Sequence, residues 1–313
     1  MVFRSMRKTF YRHCETNMYK AKFVIIIPTF RRVEALNRCL GALEKQTIKP
    51  DLVIIVRRDS DHETVKFISQ YREKAGSLNI SDLIVSEPGF IPPVKEGLRV
   101  ATGDYVSILD DDVIVCTNWV EKGLNIFKKN GPCLGAVSGA SIGRYKSGTV
   151  FPTRLFWFGR FAVIKNKIRS TKKINAFGEG NLIMRGEASA QLDVDMRLNS
   201  GRIAHHGLDF GLQLINHGWE IQYDPQLNAE HLALRAQDHE YNSENITTYI
   251  HNLAYIINKH HGRMRLIIFV FYNLVVGQYD MPGLLYGCLK HGGSSKFVSV
   301  ARRALISEIY QLT

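Results

Sequence analysis

The chain has 313 residues, 45% of them hydrophobic and 22% charged, the balance of an ordinary globular protein, which excludes wholesale disorder. That length holds one large α/β core with a satellite element, or two modest domains. A formal net charge of +12 predicts attraction to something anionic, whether nucleotide, nucleic acid or acidic membrane surface, and does not choose among them. In chain order, residues 1–22 alternate Arg, Lys and His with polar side chains and lack the apolar stretch of a signal peptide, so a basic extension on a non-secreted chain is expected. Phe23-Val24-Ile25-Ile26-Ile27, closed by Pro28, predicts a strand buried on both faces of a parallel sheet.

Val33, Leu36, Leu40 and Leu43 then recur at helical spacing, with Arg32, Glu34, Asn37 and Arg38 assigned to the opposite, polar face. Leu52 to Val56 predicts a second strand, His62 to Lys74 a helix, Leu83-Ile84-Val85 a short strand, and a further helix ends near Ala101-Thr102-Gly103. A strand from Tyr105 to Leu109 follows and ends in Asp110-Asp111-Asp112. The order βαβαβαβ describes an α/β chain with an open, mostly parallel sheet flanked by helices. Ligands of such sheets bind beyond the carboxyl ends of the strands. Pro28 to Arg32, Arg57-Arg58-Asp59-Ser60-Asp61 and the Asp triplet all fall there, so the fold gathers them at one edge.

Three carboxylates where a strand meets solvent call for a cation. Hard oxygen ligands suit Mg²⁺ or Mn²⁺, and Mg²⁺ is commonly shared between one or two carboxylates and a substrate's phosphates. The triplet therefore points to a metal-bound diphosphate, with a solvated acidic turn or a helix cap near Asn118 as the plain alternative. Neither G-x-G-x-x-G after the first strand nor G-x-x-x-x-G-K-[ST] anywhere is present, so phosphate has to be held by metal and Arg.

The second half is more mixed. Arg144 to Lys173 interleaves Phe151, Phe156, Trp157, Phe158 and Phe161 with seven Arg and Lys side chains between Arg154 and Lys173, a composition that fits either a grip on a lipid headgroup or nucleic acid strand, or a cover over the sheet. From Ile246 an amphipathic helix is expected, followed by an apolar helix at Leu266 and a basic tail with Lys290, Lys296, Arg302 and Arg303. The apolar run Leu266 to Val276 is well short of the roughly 20 residues that cross a bilayer. Cys14, Cys39, Cys116, Cys133 and Cys288 are odd in number and scattered, without a C-x-x-C pair, which argues against a disulfide framework and a zinc site and fits a reducing cytoplasm.

Several of these segments, in order, resemble the family 2 glycosyltransferases of the GT-A fold over roughly Phe23 to Leu232. Val24 to Arg32 is similar to the family's first strand and uridine-side turn, Gln46-Thr47 to the close of its first helix, and Ala101 to Val106 with Leu109 to Asp112 to the approach to its D-x-D. Gly180 to Arg185 resembles the acceptor-side segment, Leu208-Asp209 stands at the E-D pair, and Gly218 to Ile221, Pro225 and His231 follow the closing pattern.

The resemblance implies inverting transfer of a sugar from a nucleoside diphosphate donor to a hydroxyl of a glycan or lipid-linked acceptor, with Mg²⁺ or Mn²⁺. It implies metal contacts from Asp112, Asp110 and His231, with Asp111 able to reach the donor ribose instead; the contiguous triplet leaves that register open. It implies donor contacts from Pro28, Thr29, Arg31, Arg57, Arg58, Asp59 and Lys95. It implies Asp209 as general base, with Glu179 and Asp195 as poorer choices. It divides the chain into a basic extension (1–22), a GT-A domain (23–245, donor half to about 140) and a C-terminal helical, membrane-proximal region (246–313). Two departures stand out: Arg57-Arg58 replace the two Asp residues common after the second strand, pointing away from a uridine donor, and Leu208 replaces the Glu of the E-D pair. The pairs His205-His206 and His260-His261 read as surface or polar-core residues. Polysaccharide biosynthesis on the cytoplasmic membrane face is the expected setting, without nucleic acid as a partner.

Other readings are an Asp-based phosphohydrolase, a nucleotidyltransferase and a non-enzymatic basic module. The first lacks Thr or Val where Ile114 stands, the second lacks a Gly-rich loop after the first strand, and the third leaves the carboxylates without a purpose.

Overall fold

The computed structural model describes residues 21–74, 76–139, 141–142, 153–163, 171–178, 180–198, 205–232, 243–278 and 281–282. The basic extension before residue 21, Glu179 and the tail beyond residue 282 lie outside them. The first half runs β1 (Phe23–Thr29), α1 (Val33–Glu44), β2 (Leu52–Arg58), α2 (His62–Glu73), β3 (Ile80–Val85), α3 (Ile91–Val100) and β4 (Tyr105–Leu109). It continues through β5 (Val113–Val115), α4 (Trp119–Asn130), β6 (Leu134–Ser138), β7 (Ser141–Ile142), β8 (Thr153–Leu155), β9 (Phe161–Val163), β10 (Lys172–Lys173), β11 (Asn181–Arg185) and α5 (Gly186–Ser189). After a short 3-10 turn at Met196–Leu198 come α6 (His206–Asn216), β12 (Glu220–Tyr223), β13 (Ala229–His231), α7 (Ser243–Val275), β14 (Gly277–Gln278) and β15 (Met281–Pro282).

An eight-stranded sheet with order β10-β12-β6-β11-β4-β1-β2-β3 forms the frame. β4, β1, β2 and β3 are mutually parallel, while β11 enters antiparallel between β4 and β6. Every residue of β1 is buried, as its continuous apolar run requires. The pleat sends Val24 and Ile26 to one face, under α3, α6 and α7, and Phe23, Ile25 and Ile27 to the other, under α1 and α4. Two cores, one on each side of a single sheet, follow from that alternation. Each large aliphatic side chain buried this way contributes about 1.5–3 kcal/mol.

β3 begins at Ile80, three residues before the apolar run that marks it in the sequence. It is the edge strand, half exposed, so polar Ser81 and Asp82 fit its ladder, and Asp82 is used to hold Arg57. α7 is two helices joined at Gly262, whose φ of 75° lies outside the helical region. This matches the amphipathic and apolar helices expected on either side. Among the described residues no helix is long and apolar enough to cross a membrane.

Candidate active site

At the carboxyl end of the parallel strands lies a cavity of about 410 Å³ whose lining includes Pro28 and Thr29 from β1, Arg57 and Arg58 from β2, Phe90 before α3, the Asp triplet and His231. β4 ends at Leu109, and the triplet turns the chain into β5, with Val113 N–H donating to the Asp110 carbonyl at 3.2 Å. β13 pairs antiparallel with β5, setting His231 opposite Val113, and Leu232 N–H donates to the Asp112 carbonyl at 2.9 Å. That pairing carries a histidine over a hundred residues away to the acidic turn. His231 Nε2 lies 3.4 Å from Asp112 Oδ1 and 3.7 Å from Asp110 Oδ2. Among the described residues, Asp110, Asp112 and His231 form the group able to ligate a metal, each offering an atom within 4.8 Å of the others.

Whether that group suits a divalent ion is decided by what its oxygens already do. Asp110 Oδ1 is buried without a hydrogen-bond partner. A buried carboxylate oxygen with no donor is costly. Two carboxylates and an imidazole nitrogen this close together would suit Mn²⁺ or Mg²⁺ as a partial ligand set.

Asp111 plays a different part. Thr29 Oγ1 donates to its Oδ2 at 2.7 Å, and Arg32 Nη1 donates to its Oδ1 at 2.7 Å. Burial pushes the Asp111 carboxyl up to about 7, against the opposing pull of Arg32 and Thr29. Arg32 Nη2 donates in turn to Asp112 Oδ2, so one guanidinium spans two neighbouring carboxylates. Burial works against the Arg32 charge, but Asp111, Asp112 and Asp110 outweigh it and raise its pKa further. Arg32 is the functional side chain that the sequence reading missed. It stands at the N-cap of α1, with φ −131° and ψ 47°, so a helical wheel does not describe where it points.

The expected donor residues divide. Pro28, Thr29, Arg57, Arg58 and Asp111 line the cavity, whereas Arg31, Asp59 and Lys95 do not. Arg31 adopts φ 55° and gives its backbone N–H to the buried Asp61, which also caps α2, leaving its side chain exposed over Phe30. Asp59 and Lys95 face solvent. Arg57 reaches the cavity with its charge already committed, through Nε and Nη2, to the two oxygens of Asp82 at 2.8 and 2.9 Å. Arg58 is the freer cation: it lies over Phe30, 5.3 Å from the ring centroid, and its buried Nε has no partner.

Asp209 is placed away from the cavity, in the first turn of α6, with no exposed surface. Gln213 Nε2 donates to it at 2.7 Å, Lys259 Nζ pairs with it at 3.0 Å, and His260 Nε2 sits 2.7 Å from Oδ1. Both of the last two come from α7. Lys259 also pairs with Asp195, the poorer candidate, which accepts from Arg197 and from the Tyr255 hydroxyl at 2.6 Å. His205 and His206 are buried in ring contacts; His206, the first residue of α6, lies 5.0 Å from Phe90 of the cavity lining.

Comparison with known proteins adds to this geometry. The family described as Glycosyl transferase family 2 matches residues 24–186. The chain is 29% identical over 157 residues to the poly(ribitol-phosphate) beta-N-acetylglucosaminyltransferase TarP of Staphylococcus aureus, covering 47% of this chain and 45% of that protein. It is 26% identical over 111 residues to a poly(ribitol-phosphate) beta-glucosyltransferase of Bacillus spizizenii, covering 35% of this chain and 18% of that protein. The chain thus spans less than half the length of these relatives. In fold it is similar to the mannosyltransferase PcManGT of Pyrobaculum calidifontis, solved with GDP-Man and Mn²⁺, with TM-score 0.59, 12% identity and 100% and 95% of the two chains covered. S. aureus TarS gives TM-score 0.56 at 15% identity, covering 92% of this chain and 54% of that one.

Proposed function

We propose a metal-assisted, inverting sugar transfer, starting from the fact that this chain belongs to glycosyl transferase family 2 and is a glycosyltransferase. The observation that carries the metal is the convergence of Asp110, Asp112 and His231 at the mouth of β4, in the same cavity as the donor-side residues. A Mg²⁺ or Mn²⁺ ion held there supplies charge neutralisation to the departing diphosphate. The protein's own groups do the rest. Arg32 donates to both Asp111 and Asp112 from one guanidinium, so the two carboxylates are oriented before substrate arrives. Thr29 orients Asp111, which sits where a donor hydroxyl can bond it. Arg58 and Phe30, both in the cavity lining, offer the nucleoside a cation and a ring.

For the acceptor proton we keep Asp209. An acceptor hydroxyl reaches it only by taking the place of one of its three donors. Lys259, with 23% of its side chain exposed against 5% for His260, is the more accessible of the two α7 donors, and its second partner Asp195 would hold it when an acceptor hydroxyl takes its place on Asp209. Attack from the face opposite the diphosphate then inverts the anomeric centre. The acceptor class that fits the +12 charge and the names of the relatives is a phosphate-bearing polyol or glycan polymer, presented at the inner face of the cell membrane, where basic and apolar C-terminal helices meet anionic lipid.

The test is thermal shift with UDP, GDP and dTDP sugars, each with and without Mn²⁺, in wild type and Asp112→Asn. A rise in melting temperature that needs both nucleotide and Mn²⁺, and that disappears in Asp112→Asn, is expected. Metal-independent, salt-sensitive binding to nucleic acid in its place would refute the reading. For the membrane setting, protein that ignores anionic vesicles at low salt would refute it.

A further inference from the structure

A second cavity, of about 210 Å³, lies on the acceptor half, where the hairpin of β8 and β9 meets α7. The hairpin tip is a tight turn: Phe156 N–H donates to the Arg160 carbonyl at 2.8 Å, and Gly159 N–H to the Phe156 carbonyl at 2.9 Å. It holds Trp157 out with 68% of its surface exposed. Across the cavity, α7 breaks at Gly262, and the residues flanking the break, His261 and Arg265, point into the same space. Arg265 Nη1 donates to the Trp157 carbonyl at 2.5 Å, and its guanidinium lies 5.8 Å from the Trp157 ring centroid. Phe156 completes an aromatic wall, with Arg154 over its ring at 5.4 Å. Arg154, Arg160 and Arg263, each close in the chain to the hairpin tip or the break in α7, are exposed.

Buried aromatic surface is what holds a fold together, so an indole left this exposed beside a concave, cation-lined space is placed for contact with something else. A flat ring packs against the C–H face of a sugar or polyol, and a guanidinium donates paired hydrogen bonds to phosphate oxygens. Partial desolvation, with His260 and Arg265 nearby, lowers the His261 pKa, which favours the neutral ring that can both donate to and accept from hydroxyls. The cavity also touches the catalytic half through side chains. His261 adjoins His260, which bonds Asp209, and Phe161 of β9 contacts His205, whose neighbour His206 packs on Phe90 of the donor cavity.

We propose that this cavity is a holding site for the acceptor polymer, binding a phosphate-bearing polyol or sugar unit remote from the one being modified, with Trp157 as platform and Arg265 and His261 as polar contacts. It rests on the transferase reading of the preceding section and adds a second point of attachment to it. Such a site raises the effective concentration of a long acceptor at Asp209 and leaves a single-unit acceptor unaffected.

The probes are a ribitol phosphate oligomer, free ribitol, inorganic phosphate and phosphatidylglycerol vesicles, titrated by calorimetry onto wild type, Trp157→Ala, Trp157→Phe and Arg265→Lys. Trp157 is exposed, so Trp157→Ala is expected to keep the wild-type melting temperature. It should weaken oligomer binding about tenfold, with Trp157→Phe restoring most of it, while Mn²⁺-dependent donor binding stays unchanged. KM for the oligomer rises in step, and turnover of a one-unit acceptor does not. Equal oligomer affinity in Trp157→Ala and wild type, with donor binding intact, would overturn the holding site and leave the transferase reading standing. Loss of vesicle binding in Trp157→Ala without loss of oligomer binding would overturn it in favour of a membrane contact. Binding of inorganic phosphate alone with wild-type strength, insensitive to Trp157, would reduce the site to an anion contact and overturn the polymer assignment.

Discussion

Gly180 offers a way to disturb the acidic turn without touching a carboxylate. It precedes β11 at φ 82°, and a methyl group built on it would stand 2.1 Å from Asp110 Oδ2 and 2.4 Å from the carboxyl carbon. Ordinary contact between such atoms is about 3.5 Å, so in Gly180→Ala the carboxylate has to withdraw by roughly 1–1.5 Å. Forcing an L-residue into the left-handed region adds roughly 1–2 kcal/mol. Gly218, at φ 90° past the end of α6, carries the same backbone cost with nothing within 4 Å of its added methyl. Both variants should therefore lose a similar roughly 1–2 kcal/mol in urea unfolding. Only Gly180→Ala should lose metal affinity and kcat/KM, by about 10–100-fold, the range for a displaced supporting contact at a metal centre. Titrating Mn²⁺ against the nucleotide-dependent melting shift gives the affinity. A folded Gly180→Ala enzyme with wild-type Mn²⁺ dependence would refute the assignment of Asp110 to the metal.

Three further outcomes follow from the packing. Asp209→Asn should lower stability by roughly 3 kcal/mol, because Lys259 and His260 lose a buried carboxylate partner, and should stop transfer while leaving donor affinity intact; a variant that transfers at wild-type rate would remove Asp209 as the base. Burial pushes the Asp195 carboxyl up, but Arg197, Tyr255 and Lys259 outweigh it and hold it well below the usual carboxylate range. Its folded pKa being the lower one, its stabilisation is complete above the unfolded value of about 3.9 and is lost as pH falls below that. Circular dichroism between pH 5 and pH 2, taken as broad bounds around that value, should show Asp195→Asn with a flatter acid limb, and an unchanged limb would contradict the pairing. Arg57→Met should cost stability, since Asp82 loses its bidentate partner, whereas Arg58→Ala should leave stability within about 0.5 kcal/mol and weaken nucleotide binding about tenfold by calorimetry, with equal nucleotide losses in both refuting the division of labour.

What the sequence could tell depended on how local the deciding contact was. β1 was legible because a strand buried on both faces needs an unbroken apolar run, and β4 because its run stops dead at three carboxylates. The burial of Asp209 was not, since its partners arrive 50 and 51 residues later on a helix whose docking no local pattern specifies. His231 was recognisable only through family resemblance, because the β13–β5 pairing that brings it to Asp112 spans more than a hundred residues. Arg32 failed for a subtler reason: one position before the first helical turn, the 3.6-residue wheel assigns it a direction that its φ/ψ contradict. The omission matters to the chemistry. Three adjacent carboxylates in a half-closed cavity would repel both one another and a diphosphate. With Arg32 bridging Asp111 and Asp112, the turn retains two formal negative charges when all three carboxylates are ionised, the charge that one divalent ion balances. The rise of Asp111 to about 7 comes first from its burial, which Arg32 and Thr29 oppose, with repulsion from Asp112 and Asp110 a smaller contribution. In the proposed metal-assisted reaction, the Arg32 guanidinium would thus set how much carboxylate charge is left for a divalent ion to balance.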